Sequence, residues 1–284
     1  MVIEDIINPF KAEKKPWELF FIGFLYCSIA IFLSLWIFQK YASLVMVFLT
    51  VLACTPLIYN TVRMEESKDI ELEGEKTILR EHAHALSFFM FLFLGVTLAC
   101  ALWYIVLPTK TSVNLFTIQT ETITSINSNI TGLSVDYFAI FTKIFMNNVK
   151  VLIFCILFAF VYGMGSMFIL IWNASVIGVA MGNFFRTHFA AYATAAGLVK
   201  IAGYFHISAL SILRYAIHGF PEILSYFIGG LAGGIISVAV IKHEFGTQSF
   251  EKILLDSSDM IIISVLMLVI AAGLEVFVTP LFFA

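Results

Sequence analysis

Asn147–Gly182 reads NNVKVLIFCILFAFVYGMGSMFILIWNASVIGVAMG. It is apolar enough for a bilayer, yet it carries an asparagine pair, a third asparagine at 173 and a series of glycines. Polar side chains are costly in hydrocarbon, so each needs a reason to be there. Glycines four apart let helix backbones touch where lipid supplies no hydrophobic drive to associate. The same mixture returns at His218–Gly234, HGFPEILSYFIGGLAGG. These tracts specify an all-α, polytopic transmembrane helical bundle, packed closely around a few buried polar groups.

The rest of the chain agrees. Of its 284 residues, 61% are hydrophobic and 12% charged, with a mean hydropathy of +0.98. Soluble domains run near about 45–50% apolar. The net charge of −3 comes without a basic stripe, so no nucleic-acid partner is expected. Cys27, Cys54, Cys100 and Cys155 each stand alone in an apolar run, which suits small hydrophobic packers better than a zinc site or disulfide framework. The first apolar run, Trp17–Phe38, exceeds a signal-peptide core and reads as a retained helix. HExxH, GxSxG, P-loop and dinucleotide-binding patterns are absent from the sequence. His82 and His84 are two apart and share no helix face. The chain is therefore expected to be no enzyme and to use no cofactor or metal.

Apolar runs of about 20 residues suffice to span. They give about seven membrane segments, near 17–38, 42–60, 86–107, 148–172, 189–212, 221–241 and 260–279. Pro56 kinks or stops the second. The stretch 173–217 is interrupted by Arg186, His188, Lys200, His206 and Arg214. It holds either one crossing or two half-helices of a broken, re-entrant segment. Residues 1–108 form an N-terminal three-helix membrane region, with a charged loop at 61–84. Basic residues there and in the leader put that loop and the N-terminus in the cytoplasm. Residues 109–146 are rich in Thr, Ser and Asn and lie outside, with a surface helix in LFTIQTETITSI and a glycosylation sequon at Asn129. Residues 147–284 form the membrane core. The parity of crossings in 173–217 decides the side of the C-terminus.

Several residues stand out from this background. Asn147 and Asn148 open the fourth helix, and one of them serves as an N-cap. The pair is more than a cap requires. Ala174, Gly178 and Gly182 make one small-residue row, with Gly163 four after Ala159. Ser225, Gly229, Gly233 and Ser237 make a second row, with Gly230 and Gly234 beside it. These rows serve either packing within the chain, a homodimer seam or a narrow ligand groove. Pro221 and Glu222 suit a first helical turn, and His218 adds a titratable neighbour at membrane depth. Glu275 lies alone in an uncharged helix and calls for a partner, with Lys200, Arg214, His206 and His218 as candidates.

Together, the Asn147-Asn148 pair, the Gly163/Gly165 helix, Asn173 before Gly178 and Gly182, His218-Gly219-x-x-Glu222, and Glu275 with Thr279-Pro280 resemble the stage II sporulation protein M family. The resemblance covers about 140–284. The family often shows Asn-Gly where this chain has Asn173-Ala174. Residues 1–139 stand outside the resemblance. It implies no enzymatic activity, and the family's namesake works in a membrane complex that organises cell-wall remodelling enzymes.

The leading expectation is thus a multi-pass protein of the cell membrane, acting as a scaffold or assembly factor in a homo-oligomer or with other membrane proteins. The alternative is a channel or secondary transporter with a site around His218, Glu222 and Glu275.

Overall fold

The computed structural model describes residues 15–71, 83–131, 136–162, 165–189, 197–241 and 246–283. Among these there is no strand. The long helices are α1 (Glu18–Ile37), α2 (Ala42–Glu71), α3 (Ala83–Val106), α6 (Tyr137–Tyr162), α7 (Ser166–Phe189), α8 (Gly197–Ile241) and α9 (Gln248–Gly273). Two shorter helices, α4 (Thr109–Leu115) and α5 (Thr117–Thr131), fill the Thr-rich segment. A π turn at Leu274–Val278 follows α9 and leads into α10 (Thr279–Phe283). Seven helices are long and apolar enough to cross a membrane.

The expected bundle is therefore found, with different boundaries. Hydropathy runs unbroken from 148 to 172, and that stretch reads as one helix. In the structure it divides into the end of α6 and the start of α7, with Gly163 outside the described residues. The stretch 173–217 is neither a separate crossing at 189–212 nor a pair of half-helices. Residues 173–189 complete α7 and residues 197–217 belong to the first half of α8, which continues to Ile241 as one 45-residue helix, while 190–196 lie outside the described residues. Pro56 does not stop α2. The charged loop expected at 61–84 is helical as far as Glu71, and residues 72–82, with His82, lie outside the described residues.

Helix α6 begins eleven residues before the expected start at 148, with Asp136 as its cap. Its Oδ1 accepts hydrogen bonds from the backbone amides of Phe138 and Ala139 at 3.0 and 3.3 Å. Asn147 and Asn148 therefore lie inside the helix and cap nothing. Likewise Pro221 and Glu222 sit mid-helix in α8, so first-turn placement does not account for them.

Helix α3 packs between α1 and α7, while α8 packs against α9, α6 and α7. One apolar core runs through both groups, from Leu19 to Leu268. The glycine rows make these contacts possible. A Cβ on Gly178 would lie 2.5 Å from the Thr97 carbonyl, and one on Gly182 would meet the Tyr104 ring at 2.9 Å. On α8, a Cβ at Gly233 would lie 2.7 Å from the Ile156 carbonyl, Gly229 faces the Leu152 side chain, and Gly230 approaches the Ser166 hydroxyl. Gly234 is buried. Ser225 donates to the Ser264 carbonyl of α9 at 2.8 Å. Both stripes of α8 are thus used for packing within one chain.

The Thr-rich segment folds onto the bundle. Leu115 and Phe116 are buried. Gln119, fully buried, accepts from the Ser43 hydroxyl at 2.6 Å and donates to the Ser175 hydroxyl at 3.2 Å. Arg186 donates to the carbonyls of Ile105 and Leu107 and lies over the Tyr104 ring. It satisfies acceptors that the end of α3 leaves open. Cys27 and Cys100 meet with sulfurs 3.5 Å apart, and all four cysteines are free and buried.

Candidate functional site

Helix α6 places Lys143, Asn147 and Asn148 on neighbouring turns. Helix α7 brings Asn173. Helix α8 repeats its polar positions every four residues, at His218, Glu222 and Tyr226, and so presents them on one face. The π turn supplies Glu275. These side chains line one cavity of about 250 Å³. All the polar positions singled out in the sequence, Asn147, Asn148, Asn173, His218, Glu222 and Glu275, are in its wall. The glycines are not, apart from Gly219, which the sequence reading took only as part of the His218–Glu222 motif.

The wall is unevenly satisfied. Tyr226 is fully buried and donates its hydroxyl to Oε1 of Glu222 at 3.0 Å. His218 Nδ1 lies 3.2 Å from the Thr279 hydroxyl, which itself donates to the Leu274 carbonyl. Asn173 donates Nδ2 to the Ile169 carbonyl one turn back at 2.9 Å. That bond leaves its carbonyl oxygen for the cavity. Asn148 is only 6% exposed and lies beside Glu222, yet its Nδ2 finds no hydrogen-bond acceptor of normal geometry. No hydrogen bond or ion pair ties Glu275 to a described residue; Glu222 and Lys143 line the same cavity. None of Lys200, Arg214, His206 and His218 is bonded to it. A buried amide donor without an acceptor is costly in an apolar setting.

Glu275 also sits where the helix ladder changes register. In the π turn the Thr279 amide bonds to the Leu274 carbonyl. Pro280, one residue on, has no N–H to give, so the ladder has a gap on the carbonyls just before it. Single π turns inside α-helices are frequent at functional sites.

Sequence reasoning missed Tyr226, Tyr215 and Lys143 in this wall. Tyr226 and Lys143 were legible as spacing, four after Glu222 and four before Asn147. Tyr215 has no such signal. Among the described residues no group of His, Cys, Asp and Glu has the geometry of a metal site.

A second cavity of about 290 Å³ adjoins the first. Its walls are apolar side chains of α3 and α8, among them Phe93, Leu94, Leu98, Ile212 and Phe220, with Thr97. The Thr97 hydroxyl oxygen has no hydrogen-bond partner. Ile177, Tyr215 and Gly219 belong to the walls of both cavities.

The family model for stage II sporulation protein M matches residues 84–280. The match takes in α3 and the Thr-rich helices, which the resemblance read from the sequence left outside, and it contains every residue of both cavities except Phe20. No curated protein and no solved structure matches the chain.

Proposed function

The chain belongs to the stage II sporulation protein M family, and on that premise we propose that it is a non-enzymatic multi-pass membrane protein whose working centre is the polar cavity. The cavity binds a small polar or charged group inside the membrane, as the site of a channel or secondary transporter does. One observation carries this reading. Asparagines, a histidine and two acids that are far apart in sequence converge on one cavity among helices of membrane-spanning length. Ionisable groups at such depth mark solute or ion paths more often than structural ties.

Flux through proteoliposomes tests the proposal. Wild type, Glu222→Gln and Glu275→Gln are compared for uptake of protons and of small cationic, neutral and anionic solutes. Flux in the wild type that is lost in the well-folded variants is expected. Equal flux in all three, or none in any, overturns it.

The scaffold reading that the sequence placed first stands second, on a different feature. At about 1.5 Å per residue, α8 is roughly 67 Å long, about twice the hydrocarbon thickness. Its first half exposes Val199, Ile201 and Phe205, the last 75% exposed. A helix that overshoots the bilayer with apolar residues on its surface suits docking to another membrane protein. Crosslinking from cysteines placed at Val199 and Phe205 tests this. The charge pattern further supports a cytoplasmic N-terminus.

A further inference from the structure

The polar and apolar cavities share a stretch of wall, Ile177, Tyr215 and Gly219. Gly219 is buried, yet a Cβ placed on it would meet no atom within 4 Å. The space beside it is therefore cavity, whereas Gly229, Gly230 and Gly233 of the same helix face neighbouring side chains or backbone. On one side of Gly219 stand Glu222, Glu275 and Asn148; on the other stand Phe93, Leu94, Leu98 and Ile212.

The two sides ask for different chemistry. Glu222 and Glu275 put two acids in the wall of one cavity, and Asn148 Nδ2, beside Glu222, makes no hydrogen bond of normal geometry. A positive group that also carries an oxygen acceptor answers both. A hydrocarbon chain answers the apolar side, which offers it only the Thr97 hydroxyl and carbon. An ion or a small polar solute would leave the apolar cavity unused, and a plain hydrocarbon would leave the acids unpaired.

We propose that the two cavities together hold one amphiphile taken from the membrane, with an amine-bearing head among Glu222, Glu275 and Asn148 and its chain in the apolar cavity past Gly219. This deepens the reading of the polar cavity as a binding site and rests on it. The protonated amine faces the carboxylate pair and relieves their repulsion. A hydroxyl or ester oxygen beside the amine accepts from Asn148. Gly219 lies in the wall common to head and chain, and a long side chain there would fill the space between them.

The test uses the full chain in phosphatidylcholine nanodiscs and reads its unfolding midpoint with four probes. N-decylethanolamine has head and chain, ethanolamine the head alone, decanol the chain alone, and decanoate the opposite charge. Only N-decylethanolamine is expected to raise the midpoint. The rise should vanish in Glu275→Gln and in Gly219→Leu. Should Gly219→Leu fold poorly, a series of N-butyl, N-hexyl and N-decyl heads on the wild type replaces it, and stabilisation should grow with chain length. Equal stabilisation by ethanolamine, or no dependence on chain length, overturns the amphiphile and leaves the polar cavity as a small-solute site. An undiminished rise in Glu275→Gln overturns it as partitioning into the bilayer. Silence of all four probes overturns it too. If the proteoliposomes are silent as well, the reading beneath it falls with it.

Discussion

Tyr226 and Glu222 lie one turn apart on α8, and the tyrosine hydroxyl donates to Oε1 of the acid at 3.0 Å. Tyr226 is fully buried, so its hydroxyl cannot turn to bulk water for a substitute. Tyr226→Phe should therefore destabilise the protein by about 1–3 kcal/mol, the cost of leaving a buried acceptor short of a donor. Thermal or denaturant unfolding in detergent measures it. An unchanged midpoint would show that Glu222 draws its hydrogen bonds from elsewhere.

Glu275 behaves differently, because it has no protein partner to abandon. The sequence alone suggests that Glu275→Leu should break a hydrogen bond. The structure reverses that expectation: no hydrogen bond ties Glu275 to a described residue, and a second acid, Glu222, lines the same cavity. Glu275→Leu should keep or raise the unfolding midpoint, since it removes a half-buried acid that no hydrogen bond ties to a described residue. A clear loss of stability would reveal a partner among residues 242–245 or the other undescribed segments.

The glycines should rank by what faces them. Gly233→Leu should cost at least about 1–3 kcal/mol through overpacking, because the first added carbon lies 2.7 Å from the Ile156 carbonyl. Gly230→Ala should cost less, with the Ser166 side chain at 3.2 Å able to shift. Gly273→Ala meets nothing within 4 Å. It should gain about 0.5–1 kcal/mol of helix propensity. Unfolding midpoints of the three variants would test the order, and a different order would mean that the helix contacts are misplaced.

Arg186→Ala should uncap α3 by freeing the carbonyls of Ile105 and Leu107. A loss of about 1.5–3 kcal/mol is expected for charge-assisted bonds. Arg186→Lys should recover part of it, since one ammonium reaches less than the guanidinium fork. Hydrogen exchange at the end of α3 reports the fraying directly.

Charge asymmetry predicts that Ser67 and Ser128 face opposite sides of the membrane. The native cysteines are buried and do not interfere. Single cysteines at those positions, labelled with an impermeant reagent, should react from opposite sides. Labelling from one side would reverse the assignment of the N-terminus.

Composition and hydropathy made the class of fold legible, because a bilayer imposes the same demand on every span. The helix ends were not legible, because hydropathy does not register caps. Asp136 moved the start of α6 by eleven residues, and so changed Asn147 and Asn148 from a terminus to a wall. The polar wall itself was legible as a set of residues that had no business in hydrocarbon. Their convergence was not, since Asn148 and Glu275 are far apart in sequence and meet only through packing. The role of the glycine rows was left open by the sequence and decided by neighbours such as Ile156 and Ser166, which no spacing rule names.

Pro221 lies within α8 and beside Glu222. Having no N–H, it leaves the Ile217 carbonyl without its usual donor. Tyr215 and His218 stand before this missing rung, Glu222 and Tyr226 at or after it. The two halves of the long helix are thus joined most softly at the level of the cavity. A tug on the outer half, by a bound protein or by a thinning bilayer, would be felt first as a hinge motion that changes the width between His218 and Glu222.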